Sequence, residues 1–416
     1  MEKKVRIVGG GMTGILAAFE AHRLGFRDIT LFERLEGLGG VARSKTVDGF
    51  DIRDGAYYFG DRNDPARRLL EAYGLEFVES PLRYGSVSPA ADGGMVAMES
   101  FGGPVLPSDT VHLRPLGAGD SLADRIAAYP ACINEAIERY CAWHVGEAAS
   151  ALHVSAVATM GLRRVFPAGC NIDALAALKQ GDPTYDDLYG IPRELWGRTS
   201  VQTGAMPVSG YVRFFDDCRR ALTSAGVRVS EGTLVSPRQA LAEVPEEEVL
   251  VWAGNPTPLF KAMHLPTPRP RAKLFHTHVF HATFDGPAPF FLHNFTAQGV
   301  VFRAFLYESA GEVLLTAECV AEADDGALRQ ELQNLVGLFG RLSIGNQLAS
   351  SVAPRWGYQP PECVNALTLL RSALNTRFGT SFVPGAWEAY AKVDKLSEIS
   401  AALSRALTPA ETRLTA

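Results

Sequence analysis

Apolar residues first gather at Val5-Arg6-Ile7-Val8, a short run that predicts a buried strand. Ile15, Leu16, Ala18 and Phe19 then recur at helical spacing and predict a helix from Met12 to Leu24, with Gly25 as its stop. Asp28 to Phe32 predicts a second strand. Strand, helix and strand in so short a stretch form a βαβ unit, which implies a parallel sheet.

Beyond this unit the pattern changes several times. Between about 85 and 195, Pro/Gly-rich turns at Phe101 to Pro107 and Arg114 to Gly119 alternate with helices predicted at Leu122 to Tyr140 and Ile172 to Lys179. Gly210 to Ser224 predicts a helix, and Val227 to Val235 and Val249 to Ala253 predict strands. From Ala272 to Val320 the chain turns β-rich, with runs at Phe275 to Phe284, Phe290 to Phe295, Val300 to Leu306 and Val313 to Cys319. Turn residues separate these runs, as in an antiparallel sheet. Asp324 to Phe339 predicts a helix that opens on acidic residues, as its dipole favours, and a last helix spans Lys395 to Ala406. No internal repeat or low-complexity segment is present. One reading of this order is an α/β class: a Rossmann-like nucleotide domain assembled from separated segments, with an inserted α+β domain containing the antiparallel sheet.

Composition narrows the partners. The net charge of -6 leaves no basic footprint for nucleic acid, although a local arginine cluster can still meet an anionic substrate. Cys132, Cys141, Cys170, Cys218, Cys319 and Cys363 form no CxxC pair and no zinc spacing, so no metal site is expected and a reducing cytoplasm suits them. The strand at Val5 leaves no room for a signal peptide, and no apolar run approaches the ~20 residues of a membrane helix. The polar tail after Leu403 argues against a C-terminal anchor. These features set the expectation of a cytoplasmic protein; none specifies an oligomeric state.

The chemistry begins at Gly9-Gly10-Gly11-Met12-Thr13-Gly14, which fits GxGxxG between a strand and a helix. Gly9 permits the tight turn, Gly11 lets the backbone approach a pyrophosphate, and Gly14 allows helix and strand to pack closely. The helix N-terminus offers N–H groups and partial positive charge to phosphates. Glu33 ends the second strand, nineteen positions after Gly14, where a carboxylate can accept from an adenosine ribose. Arg34 attracts a 2′-phosphate but Glu33 repels one, which disfavours NADP.

Leu38-Gly39-Gly40-Val41-Ala42-Arg43-Ser44 resembles the GG-box of the FAD superfamily that includes amine oxidases, protoporphyrinogen oxidase, phytoene desaturases and UDP-galactopyranose mutase. The resemblance implies FAD as cofactor, with Gly39 and Gly40 passing close to its phosphates and the Ser44 hydroxyl near it. It continues through Asp48-Gly49-Phe50 to Gly55-Ala56-Tyr57-Tyr58-Phe59, where Tyr57 stands in place of the flavin-facing His of the mutase-like branch. Tyrosine does not titrate near neutral pH as histidine does. Met206 to Gly210 and the following segment look like the family's return to the FAD domain, and the position matching Val235 contacts adenine through its backbone. Pro384-Gly385-Ala386-Trp387, followed by Asp394, is similar to the mutase-like flavin-closing segment, with Ala386 replacing its usual charged residue. The resemblance assigns residues 1–85, 201–268 and 346–416 to the FAD-binding domain, and 86–200 and 269–345 to the substrate domain.

Candidate substrate residues lie in the β-rich part. In a strand, Arg303 shares a face with Val301, Phe305 and Tyr307 and needs a partner. The mutase-like branch offers a substrate diphosphate in a similar context; a neighbouring carboxylate is the other candidate. His276 and His278 should face one side of their strand and His281 the other, which suits packing rather than a metal. His293-Asn294 ends an apolar strand, as structural residues or pocket residues. The expected activity is an FAD-dependent oxidoreductase that takes a hydride from a small molecule, in sugar-nucleotide, polysaccharide or secondary-metabolite biosynthesis, with Tyr57 and Arg303 as its catalytic candidates. The alternatives are a UDP-galactopyranose mutase-like enzyme acting on a nucleotide sugar, and a non-catalytic protein that retains the fold.

Overall fold

In the computed structural model, five short strands of largely apolar sequence align in parallel: β1 (Lys4–Val8), β2 (Ile29–Phe32), β8 (Arg228–Ser230), β9 (Glu248–Trp252) and β15 (Phe382–Pro384). Their order is β15-β9-β1-β2-β8, so segments far apart in sequence build one sheet. The structure describes residues 3–407 except 56, 90–94, 100–120, 128–130, 163–164, 166–179, 182–201, 243, 246, 270, 287, 359 and 390. The helix Met12–Arg23 buries Ile15, Leu16 and Phe19 in one apolar cluster with Ile7 and Leu31. The same cluster takes Phe214 and Phe215 from helix Gly210–Ser224 and Ile399 and Leu403 from helix Lys392–Leu407. Each fully buried Phe contributes about 1.5–3 kcal/mol. The start of β1 and the end of the last helix are also tied directly, since Lys3 Nζ donates to the Ala406 carbonyl over 2.7 Å.

The second sheet is larger. It joins β14 (Leu342–Tyr358), β10 (Arg271–Phe284), β13 (Glu312–Cys319), β12 (Val301–Ser309), β11 (Phe290–Asn294), β5 (Phe77–Pro89) and β6 (Met95–Glu99) in that order. All its neighbours run antiparallel except β11 and β5. β7 (Gln202–Pro207) pairs with the first half of β5. One face carries Val87, Phe280, Phe290, Leu306 and Leu315 under helix Asp325–Val336; the other carries Tyr84, Phe291, Phe305 and Tyr307. That second face meets the hairpin of β3 (Lys45–Val47) and β4 (Phe50–Ile52), through Ser309 Oγ to Asp51 N at 2.8 Å and Tyr307 Oη to Arg53 N at 3.0 Å.

The expected elements of both sheets form, with four differences. The single helix expected at Leu122 to Tyr140 is two, Leu122–Ile126 and Ala131–Val145; Pro130 lacks the N–H that a continuous helix would use. The strand expected at Val227 to Val235 stops at Ser230, because Gly232 turns with φ 64° and donates to the Leu35 carbonyl at 2.9 Å. The antiparallel sheet reaches beyond 269–345, taking in Phe77–Pro89 and Leu342–Tyr358. A helix at Pro361–Phe378 was not foreseen. The turns at Phe101 to Pro107 and Arg114 to Gly119 and the helix at Ile172 to Lys179 fall outside the described residues. Cys141, Cys218, Cys319 and Cys363 are buried free thiols, and no described helix is long and apolar enough to cross a membrane.

Candidate functional site

Because β15, β9, β1 and β2 are adjacent and parallel, their carboxyl ends share one edge. Open α/β sheets bind ligands along that edge. Gly9 leaves β1 with φ 106° and donates to the Phe32 carbonyl at 2.8 Å. A Cβ on Gly14 would overlap the Gly9 carbonyl oxygen, so the turn closes only with glycine there. A Cβ on Gly11 would meet no atom within 4 Å, and no side chain caps the helix that starts at Met12. The amides of Met12, Thr13 and Gly14 thus remain as donors for an anion.

Glu33 is 6% exposed at the end of β2. Its Oε2 accepts from Gly10 N at 2.6 Å and its Oε1 from Leu35 N at 2.9 Å, so the carboxylate braces the turn itself. An ionised carboxylate accepts about four hydrogen bonds, which leaves capacity for ribose hydroxyls. Thr233 N donates to the Glu33 carbonyl at 2.8 Å and fixes the loop that leads to the half-buried Val235. Arg34 points to solvent, and Leu35 and Leu234 are exposed apolar residues on the same rim.

The GG-box loop lies directly against the phosphate turn. Gly39 N donates to the Gly10 carbonyl at 2.8 Å, and Gly39 bridges Gly11 in parallel. A Cβ on Gly40 would stand 3.3 Å from Gly11 Cα; one on Gly39, where φ is 115°, would press into the Phe215 ring at 2.6 Å. Val41 is 90% exposed, and Ser44 is half-buried. Arg43 is engaged by its own loop and by the helix Gly210–Ser224, with Nη1 on the Leu38 carbonyl at 3.1 Å and Nη2 on Asp216 at 3.2 Å. Tyr57 Oη donates to the Val41 carbonyl at 3.2 Å, and its ring meets Tyr211 edge-on. Gly55 is buried beside it; Ala56 lies outside the described residues.

The C-terminal segment closes the edge. A Cβ on Gly385 would collide with the Trp252 carbonyl, the group that accepts from Trp387 Nε1 at 2.9 Å. Ala386 is buried with φ 51°. The structure thus brings Gly9 to Gly14, Glu33, Gly39 to Val41 and Tyr57 into one neighbourhood and sets Gly385 and Trp387 at the adjoining strand end. Asp394 is exposed.

Arg303 sits elsewhere, in the large sheet. Its guanidinium pairs with Glu318 of β13, both nearly buried, and lies over Phe302 at 5.2 Å and Phe291 at 5.8 Å. A bulge between Val301 and Arg303 puts Val301 on the opposite face with Ala304 and Leu306, so it does not share the Arg303 face as expected. His293 Nδ1 is 3.0 Å from Tyr84 Oη. Asn294 Nδ2 donates to the Val301 carbonyl at 2.9 Å, and its Oδ1 accepts from Thr296, which makes it a turn residue. His281 pairs with Glu312 at 2.8 Å; no group of three or more His, Cys, Asp or Glu among the described residues could hold a metal.

Two features escaped the sequence reading. Arg53, 7% exposed, lies over the Tyr307 ring at 4.6 Å with its Nε 3.9 Å from Asp51 Oδ2. Beside it Tyr211 Oη and Asp51 Oδ1 are buried with no hydrogen-bond partner among the described residues, and burial pushes the Tyr211 phenol up. The Asp-Ile-Arg-Asp run at 51–54 was the available signal. Lys392 opens the last helix and turns its amine inward, donating to the Tyr58 carbonyl at 2.7 Å and standing 4.7 Å over the Phe59 ring. Burial lowers that amine to about 8.

Residues 7–73 match the NAD(P)-binding Rossmann-like domain family. Tryptophan 2-monooxygenase of Pantoea agglomerans pv. gypsophilae is 51% identical over 45 residues, which are 11% of this chain and 8% of that protein. The chain therefore spans under a tenth of that relative's length. Among solved structures, reduced UDP-galactopyranose mutase aligns with a TM-score of 0.66 at 13% identity, covering 98% of this chain and 94% of the other. Cyclohexylamine oxidase from Brevibacterium oxydans aligns at 0.55 and 13%, covering 98% and 99%. A putrescine oxidase redesigned in cofactor binding aligns at 0.55 and 14%, covering 97% and 98%.

Proposed function

We propose that this chain, which has the fold of the FAD-dependent amine oxidase-like superfamily, is an FAD-dependent oxidoreductase acting on a small molecule. The observation that carries the reading is the joint formed by Gly10, Gly11, Gly39 and Gly40, where an uncapped helix N-terminus, a buried carboxylate and a second glycine loop converge. The amides of Met12 to Gly14 would hold the pyrophosphate, Glu33 would hold the adenosine ribose, and the Gly39-Gly40 loop would cover the phosphates. When bound, the isoalloxazine supplies the acceptor for a hydride from a substrate C–H bond.

The protein's own share is placement and exclusion of water. Tyr57 lies at the Val41 end of the glycine loop, and Tyr84, Phe291, Phe305 and Tyr307 pack as a buried core against the β3–β4 hairpin. A nucleotide sugar is the weaker reading, because the Arg303 charge is already engaged by Glu318. The test is the visible spectrum of the purified protein under anaerobic titration. A flavin spectrum bleached by amines or alcohols supports the oxidoreductase; turnover of a UDP-sugar only after prior reduction supports the mutase; a colourless protein that takes up no FAD refutes both.

A further inference from the structure

The segment that carries Tyr57 is pinned at four consecutive residues. Tyr57 Oη donates to the Val41 carbonyl at 3.2 Å. Phe59 exchanges both backbone bonds with Ala205 of β7, each at 2.9 Å. Gly60 N donates to Asp64 Oδ2 at 2.7 Å. The fourth pin is Lys392, on the Tyr58 carbonyl and over the Phe59 ring. Backbone and a hydroxyl supply the first two, and a carboxylate that also caps a helix supplies the third. Only Lys392 needs a charge drawn out of water, at a helix start where the dipole opposes it. A surface-seeking side chain such as lysine would ordinarily snorkel to solvent from there.

We propose that Lys392 is a positioning residue: its amine clamps the Tyr58 carbonyl and the Phe59 ring and so holds Tyr57 against the Gly39-Gly40 loop of the cofactor site. The function assigned to the clamp rests on the FAD reading above. Protonated, the amine makes a charge-assisted hydrogen bond and a cation–π contact but bears the larger cost of burying its charge; neutral, it keeps a hydrogen bond free of that cost. The charged groups that face it are Asp64, from the helix Pro65–Glu71 that it caps, and Lys395, three residues along its own helix. Asp64 favours the charged form, while burial, foremost, and Lys395 oppose it, so the clamp tightens as pH rises through about 8 and the amine sheds its charge.

The test compares the wild type with Lys392→Met and Lys392→Arg. The first readout is amide hydrogen exchange of Phe59 and Gly60 in the apo-protein at pH 7 and pH 9.5, corrected for intrinsic chemistry. The second is FAD affinity by flavin fluorescence at the same pH values. Loss of the hydrogen bond to Tyr58 predicts about tenfold faster exchange of these amides in Lys392→Met at pH 9.5, where the wild-type amine is neutral, with no loss of protection in the parallel sheet. It predicts about tenfold weaker FAD binding at pH 9.5, and a difference that vanishes or reverses at pH 7. Lys392→Arg, charged at both values, flattens the profile and lacks the wild-type gain in protection at pH 9.5. Unchanged exchange in Lys392→Met at pH 9.5, or loss of protection spread over the whole sheet, overturns the clamp. If no variant takes up FAD, the cofactor reading fails and the exchange data still decide whether the clamp exists.

Discussion

The Arg303–Glu318 pair yields the sharpest quantitative prediction. Arg303 of β12 and Glu318 of β13 are cross-strand partners with side chains 10% and 3% exposed. Removing one partner leaves the other as an uncompensated buried charge, which costs about 3–5 kcal/mol. Replacing both by apolar side chains of similar volume is often neutral or stabilising by about 1–4 kcal/mol. Arg303→Met and Glu318→Leu should therefore each lose about 3–5 kcal/mol, while the double variant returns to within about 1 kcal/mol of wild type or above it. The neighbourhood supports recovery: Phe291 and Phe302 already flank the guanidinium. Urea denaturation followed by circular dichroism gives the three free energies, provided m is unchanged among variants. Strictly additive losses in the double variant would refute the pair as a closed structural unit. Retained substrate turnover in the double variant would also remove Arg303 from the catalytic candidates.

Three further outcomes follow from the geometry. Lys392→Met should be more stable than wild type at pH 7. The folded amine titrates near 8 against an ordinary 10.5, so the unfolded chain binds the extra proton between those values and wild-type stability rises with pH across that window. The gain is about 3 kcal/mol from the relieved charge less about 1 for the lost hydrogen bond; thermal melts from pH 7 to 10 should show the difference shrinking and then reversing. Gly14→Ala forces a Cβ into the Gly9 carbonyl and should cost at least about 2 kcal/mol and abolish FAD uptake, read by denaturation and flavin absorbance. Glu33→Ala leaves the Gly10 and Leu35 amides without their acceptor, so it should lose about 1–3 kcal/mol even in the apo-protein. A Glu33 that serves only a ribose would show no apo-state loss.

The parallel sheet was legible because its signals are local. Val5 to Val8, the Gly9 to Gly14 turn and Glu33 each report a constraint met within a few residues, and all lie where the spacing put them. The GG-box was legible for the same reason, since Gly39 and Gly40 abut Gly11 and Phe215. Long-range pairing was not. β14 is polar along much of its length because it lies at a sheet edge, bonded only to β10, so it carries no apolar run to announce it. The Val301 placement failed because period-two alternation breaks at a bulge, which the sequence does not mark. Lys392 was illegible because a lysine at a helix start reads as solvated; only the fold shows that Tyr58 and Phe59 occupy the space in front of it.

The parallel sheet draws its strands from three widely spaced stretches, and the last, β15, adds on the far side of β9. During synthesis, therefore, β9 must wait with one edge unpaired while β10 to β14 of the antiparallel sheet and the Pro361–Phe378 helix are made. The nascent nucleotide domain has a sticky border through much of its own translation, and such borders invite pairing with other chains. The cofactor edge is also unfinished in that interval, because the Gly385 and Trp387 closure against Trp252 arrives with β15. Ligand capture is then coupled to the arrival of β15 rather than to the appearance of the first glycine turn.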